Sequence, residues 1–333
     1  MAWMSVVLTA MLATGLPAQA EPAGASAQES ELQTYWAGIA RDGSPRERAL
    51  VATLHVHGKW SGADRGRLGR QLRAAADAAP ADGLVQWLWA SAPAESAGCD
   101  ARDPCPARTM ALARLTPDNA RAWMPVLDRA LAQGDRAGAS SVLSRMAAAS
   151  RYEDPFADVV AAWADLLRRH PLPPRAFQDE AGMKALDPVA RENRESAMAI
   201  AFAAATLIPA PRLFRHCDAK ATPAAGPDEL AHCRELAGLM LDSQTIVQRS
   251  IGNGLLRRAG GAIDPTFERR RDWWLSAHQS LDGDALEAHR YFEDLRTTRS
   301  EIRAIELLLH RSGRPLAPPE GWVYVAPTGP AVN

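Results

Sequence analysis

Apolar residues recur at three- and four-residue intervals along almost the whole chain, the spacing of one helix face. Leu32, Tyr35, Trp36 and Ile39 predict a first short helix. Ala49, Leu50, Thr53 and Leu54 predict a second, and Leu68, Leu72, Ala75 and Ala76 its partner, ending near Pro80. Ser44-Pro45-Arg46-Glu47 starts the second helix with a capping box: the serine caps, the proline suits the first turn and the glutamate reaches back. Leu84, Trp87 and Leu88 are expected to pair with Met110, Leu112 and Leu115.

Past the middle of the chain, Asp154-Pro155 opens a helix carrying Phe156, Val159, Val160, Trp163, Leu166 and Leu167, and Asp187-Pro188 opens one running to about Leu207. Leu230, Cys233, Leu236, Ala237 and Met240 define another, with Ile246, Val247, Ile251, Leu255 and Leu256 as its partner despite Gly252 and Gly254. Asp264-Pro265 opens a helix with Phe267, Trp273, Trp274 and Leu275. The longest predicted helix runs from Asp284 to about Arg311. Trp322-Val-Tyr-Val325 is expected to pack across the last helices. No strand alternation stands out elsewhere. The reading is all-α.

Thr116 to Ser150 is the most regular part. Trp123, Val126, Leu127 and Ala130 lie at helical spacing, Gly134-Asp135 breaks the run, and Ala139, Leu143 and Met146 resume it. Neither helix of such a hairpin can hide its apolar stripe alone, so stacked neighbours are required. An α-solenoid of stacked helical hairpins follows as the expected architecture, irregular in the C-terminal half, where helix starts do not recur at a constant interval.

This unit resembles a tetratricopeptide repeat. Trp123 stands at the first anchor, Gly134-Asp135 at the turn, and Ala139, Leu143 and Met146 at second-helix packing positions, while Pro117-Asp-Asn119 resembles the junction between repeats. Leu127 and Ala130 depart from the pattern, and Pro125 falls inside the expected first helix, where an uncompensated proline costs about 3 kcal/mol. The resemblance covers about one unit clearly and a second loosely. It implies a TPR-like scaffold that binds a protein or peptide through outward side chains of the first helix, here Arg121, Met124 and Asp128.

Residues 1–20 read as a signal peptide: an apolar stretch from Val6 to Leu16 precedes Ala18-Gln19-Ala20, a small-x-small cleavage signal. Residues 21–30 are expected as a flexible leader, 31–150 as N-terminal hairpins, 151–313 as irregular hairpins and 314–333 as an extended tail. No other stretch is long and apolar enough to cross a bilayer. The expected location is periplasmic or secreted. A side-chain balance of −1 gives no electrostatic reason to expect nucleic acid or an anionic membrane.

Cys99, Cys105, Cys217 and Cys233 suit an oxidising compartment. Three connectivities are open. The two local ones, Cys99–Cys105 and Cys217–Cys233, are expected, closing loops of about 7 and about 17 residues for about 2.4 and 3 kcal/mol.

Motifs for a serine-hydrolase elbow, a His-Glu-x-x-His zinc site or a phosphate loop are missing from the sequence. His55 and His57, two apart on a helix, point roughly 200° apart and cannot readily share an ion. His216-Cys217 with His232-Cys233 fits a disulfide better than a zinc site. Arg269-Arg270-Arg271 beside Trp273-Trp274 reads as a solvated face next to a tryptophan core, and Glu287, His289, Glu293 and Asp294 as helix surface. The expectation is a non-catalytic exported scaffold without metal or cofactor. The alternative is a cell-envelope hydrolase with a scattered carboxylate/His site.

Overall fold

A computed structural model describes residues 27–57, 65–92, 106–173, 188–205, 211–220, 226–281 and 284–324. Among the described residues the structure is helical, with one isolated bridge between Asn119 and Arg151 and no strand. The first helices are α1 Ala27–Asp42, α2 Pro45–His57, α3 Arg65–Ala78, α4 Gly83–Ser91 and α5 Pro106–Leu115. A 3-10 turn, Ala120–Trp123, then leads into α6 Met124–Gln133, followed by α7 Arg136–Ala147, α8 Phe156–Arg169 and α9 Pro188–Ala205. The last are α10 Pro211–His216, α11 Pro227–Leu241, α12 Ile246–Arg258, α13 Phe267–Gln279, α14 Ala285–Thr298 and α15 Glu301–Arg311. α1 already begins at Ala27, inside the stretch expected as a leader.

The capping box of α2 forms as its sequence requires. Ser44 N–H donates to Glu47 Oε2 at 2.7 Å, and Glu47 N–H to Ser44 Oγ at 3.3 Å. The single long helix expected from Asp284 to Arg311 is two. Arg299 adopts φ 56°, and Ser300 Oγ accepts the Arg303 N–H at 3.1 Å, so α14 ends and α15 starts at that corner. A serine followed by an acidic first-turn residue is a helix start, and it overrides the continuous apolar spacing.

Residues 116–150 form the expected helical hairpin. Leu127, Ala139, Leu143 and Met146 are fully buried, Gly134 takes φ 70° at the end of α6, and Asp135 caps α7 through the Gly138 N–H at 2.9 Å. Pro125 lies in the first turn of α6, where its missing N–H has no helical partner to lose, so the cost of an interior proline does not arise. The ends of the unit are tied together. Ala120 N–H donates to Arg151 O at 2.9 Å, Ser150 N–H to Asp118 O at 3.1 Å, and Asn119 bonds the backbone of Glu153 at 3.0 and 3.1 Å.

Two buried clusters organise the rest. One joins Trp36, Leu50, Leu72, Leu88, Trp163, Ala199, Trp274, Leu295 and Ile305; the other joins Trp123, Leu127, Leu143, Leu213, Leu236, Met240 and Leu255. Each draws on residues from both sides of position 150. Neighbouring helices pair (α2 with α3, α6 with α7, α11 with α12, α14 with α15), but α7 also packs on α11, and α9 on α14. Cys217 and Cys233 form a buried disulfide with Cα atoms 5.9 Å apart, joining the end of α10 to α11. Cys99 and Cys105 lie outside the described residues. Beyond α15, Trp273 Nε1 donates to Pro315 O at 2.9 Å, and Trp322 packs edge-on against Trp273 with centroids 5.0 Å apart. Among the described residues no helix is long and apolar enough to cross a membrane.

Candidate functional site

Three helices converge on a groove of about 370 Å³ lined mainly by charged residues and their apolar stems. α8 contributes Ala164 and Arg168, α9 contributes Pro188, Arg191, Glu192, Glu195 and Ser196, and α14 contributes Glu293 and Arg296. The helices are held from beneath by aromatic packing. Trp163 of α8 and Phe202 of α9 stand 4.8 Å apart, and Trp36 of α1 lies 6.0 Å from Trp163. These rings fill the core face, so the polar residues of the same helices are left to line the outer one.

Both charge signs meet in the groove. Arg296 clasps Glu293 with bonds of 2.6 to 3.2 Å, which hold the glutamate below the usual carboxylate range. His289 Nδ1 lies 3.5 Å from Glu192, and Arg168 bonds Asp165. Glu195 behaves oppositely: burial pushes its carboxyl up, Glu192 adds to the rise, and Arg191 opposes it. Behind it, burial and the Glu195 charge together raise the Tyr35 phenol, whose hydroxyl donates to His170 O. The groove thus combines a partly desolvated carboxyl, Glu195, with guanidinium groups of Arg168, Arg191 and Arg296.

A second polar constellation lies where the corner 242–245 meets the corner 298–301, half-buried at Glu301 and open to solvent at Gln244. Ile246 N–H donates to Glu301 Oε2 at 2.8 Å, Ile302 N–H to Gln244 O at 3.2 Å, and Ser300 Oγ to Gln244 Oε1 at 2.7 Å. Gln248 extends the network, donating to Asp154 Oδ2 at 2.8 Å and accepting from Tyr152 OH at 3.2 Å. Asp154 faces Arg121 Nε at 3.5 Å, with both side chains 1% exposed, and the Arg121 guanidinium lies 4.5 Å from the Trp87 ring centre. Burial, with a smaller contribution from the Asp154 charge, pushes the Glu301 carboxyl up to about 7 against the opposing Ile246 N–H bond. On the far side, Tyr291 OH pairs with His278 Nε2 at 2.7 Å, and burial lowers that imidazole to about 4.

The residues expected to bind a partner are not gathered on an open face. Arg121 and Met124 are 1% and 2% exposed, so their expected outward placement does not hold. Asp128 is 37% exposed in its side chain and is paired with Arg212 of α10 at 2.9 Å. The misplacement has a local cause. Arg121 sits in the 3-10 turn that precedes α6 and Met124 is the first residue of that helix, so two of the three positions carried over from the repeat family fall at the helix start and not along its outer face.

The other candidates resolve individually. Both sulfurs of Cys217 and Cys233 are consumed by their disulfide, which leaves no thiolate there for zinc. Arg270 pairs with Asp264, Arg271 with Glu268 and Asp272, and Arg269 with Pro319 O, around buried Trp273 and Trp274. Arg311 bridges Glu287 and Asp294. His55 and His57 end α2, and their side chains lie outside the described residues. Among the described residues no three His, Cys, Asp or Glu side chains gather as a metal site.

The Glu301–Asp154–Gln248 network and the groove carboxylate Glu195 do not stand out in the sequence. Ser300-Glu301 carries a usable signal as a helix start; Gln248 and Tyr152 carry none. No protein-family model, no curated protein and no solved structure matches the chain.

Proposed function

We propose that the protein is an exported, non-catalytic helical scaffold that binds a peptide or protein partner in the cell envelope, with the groove between α8, α9 and α14 as the contact surface. The observation that carries this reading is the groove wall itself, where Arg168, Arg191 and Arg296 stand among Glu192, Glu195 and Glu293. Mixed charges on a helical wall suit a peptide, whose backbone and side chains present donors and acceptors together, and Glu195 supplies a partly desolvated acceptor for a donor of the partner. The tetratricopeptide-like hairpin at 116–150 supports a scaffold role by resemblance, and the Cys217–Cys233 disulfide supports an oxidising compartment.

The test is a random peptide selection on the mature protein, followed by affinity measurement with the Arg191→Ala/Glu195→Gln double variant. Selected peptides should bind that variant at least about tenfold more weakly, a loss of about 1.4 kcal/mol, with an unchanged circular dichroism melt. Equal affinity would remove the groove from consideration. The parallel variant Asp128→Ala, at the carried-over position whose side chain is exposed, should leave the affinity for the selected peptides unchanged if the groove is the contact surface.

A second reading, a cell-envelope hydrolase, draws on the unusual Glu301 and the His278–Tyr291 pair. None of these residues lines the groove. Hydrolysis of a peptide, ester or glycan library by the wild type, lost in Glu301→Gln, would establish that reading and displace the first.

A further inference from the structure

Beyond α15 the chain doubles back along one face of α13. Arg269, Trp273, Ser276 and Gln279 stand at intervals of four, three and three residues, which aligns them on that face. Each holds the tail. Trp273 Nε1 donates to Pro315 O at 2.9 Å, Arg269 donates to Pro319 O, and Gln279 Nε2 donates to Tyr324 OH at 2.6 Å. Ser276 Oγ accepts from Arg314 Nη2 at 2.6 Å, and the Arg314 guanidinium lies 4.0 Å from the Trp273 ring centre. At the reversal, Trp322 N–H donates to Pro319 O at 3.1 Å and Gly321 takes φ 73°, which brings Trp322 back to the edge of Trp273.

The tail is laid on the molecule and not built into it. No residue from 312 to 324 is buried; Arg314, Pro318, Trp322 and Tyr324 are half-buried, and Leu316 and Val323 stay exposed at 55% and 76%. The helix beneath differs: Trp273 and Trp274 are both buried. A segment that covers so little apolar surface opens at low cost, whereas the helix under it opens only with the core. The means of recognition is general as well. Two of the α13 donors address proline carbonyls, acceptors that every chain carries and that a proline-rich chain, with fewer N–H groups of its own, leaves free. Pro315 and Pro318 stand at the Pro-x-x-Pro spacing of segments that dock on aromatic surfaces, where the restricted prolines have little conformational freedom left to lose.

We propose that this face of α13 is a second peptide-binding site, for a proline-rich segment of a partner protein, and that residues 314–324 are its built-in, displaceable occupant. The tail shows what the site takes: a Pro-x-x-Pro stretch led by an arginine and followed by a tryptophan, with the cation resting on the Trp273 ring and the second tryptophan at its edge. A second copy of this chain is a poor source of that segment. Docking begins at Arg314, directly after Gly313, whose φ of 67° lies just past the end of α15; Arg314 N–H donates to Leu309 O at 2.9 Å, and α15 itself packs on α13. So short a tether cannot carry the tail to another molecule without taking α15 along. None of these residues lines the groove between α8, α9 and α14, so the site is independent of that reading.

The probe is a fluorescent peptide of residues 314–324, titrated against the full chain and read by anisotropy. In the wild type the attached tail competes at high effective concentration. In full-length Trp322→Ala, whose tail has lost its aromatic anchor, the peptide should therefore bind at least about tenfold tighter than in the wild type. The same peptide carrying Trp322→Ala should lose that gain. Adding the groove substitutions Arg191→Ala and Glu195→Gln to the Trp322→Ala chain should leave the affinity unchanged; a loss there would place the peptide in the groove and overturn the α13 site. No binding to the Trp322→Ala chain, equal binding to that chain and the wild type, or a tail-dependent dimer of the wild type in sedimentation also overturns the proposal.

Should Trp322→Ala not fold, the wild type decides. The Trp273 indole N–H, which is donated to the tail, should exchange with solvent through a local opening that depends little on urea, while the backbone amides of α15 follow global unfolding, both read by ¹⁵N NMR. An indole whose exchange rises with urea as steeply as those amides makes the tail a fixed part of the core and overturns the proposal.

Discussion

Arg121 shows how much one buried charge decides. Its guanidinium is enclosed by Trp87 and Asp154, and it links the central hairpin to the start of α8. Removing one partner of such a pair strands the other without water. Asp154→Ala should therefore destabilise by about 3–5 kcal/mol, read as a lowered urea midpoint. Replacing both at once, with Arg121→Met and Asp154→Leu, should recover most of that loss, because the desolvation cost disappears with the charges. A double variant as unstable as Asp154→Ala alone would mean that the Gln248 and Tyr152 bonds, and not the ion pair, hold the site.

At the scale of elements, the close approach of α11 and α12 rests on Gly252. A Cβ there would lie 2.7 Å from Met240 Cβ and 2.9 Å from Ala237 O, so the two helices touch at this point. Gly252→Ala should cost about 1–3 kcal/mol despite alanine's better helix propensity, with the effect read by thermal melting. In sequence this glycine reads only as an interruption in a helical pattern. The longer helices are legible, because apolar spacing and the Ser44, Asp135 and Thr245 caps are local signals that act before any tertiary contact, whereas the six-residue α10, Pro211–His216, is too short to show a repeat of its apolar face. The split at Arg299 is not, since Leu295, Ile302 and Ile305 keep one apolar face across the corner and so imitate continuity. The groove is equally hidden. Its arginines and glutamates are ordinary exposed-face residues, and only the pairing of α9 with α14 makes them face each other. Nothing local in residues 188–205 encodes a partner some hundred positions away.

For the molecule as a whole, two half-buried groups push its pH dependence in opposite directions. Glu301 is raised to about 7, so between its ordinary 4.5 and that value the folded state holds an extra proton and loses stability as pH rises. Glu195, raised in the groove, adds to that trend. His278 is lowered to about 4 from 6.5, so over that window the folded state lacks a proton and gains stability as pH rises. Where the windows overlap the two effects offset, and the wild type should show a nearly flat urea midpoint from about pH 5 to 6.5. His278→Gln should uncover a midpoint that falls with pH, and Glu301→Gln one that rises. Matching slopes in the two variants would contradict the assignment. Below this range Glu47 takes over. Burial alone would raise its carboxyl, but the Ser44, His170 and Arg169 contacts outweigh that and lower it, so acid removes the stability those contacts supply.

The first buried cluster spans Trp36 at one end of the chain and Leu309 near the other, while the hairpin at 116–150 clasps its own ends. As the chain emerges during synthesis, that hairpin needs only the helices up to α12 to cover its apolar stripe, but the earliest helices must wait for the latest ones with their apolar faces uncovered. A ribosome-stalled chain ending before α13 should thus be cut by protease within α1 to α4 while residues 116–150 resist, and full length alone should confer resistance on both.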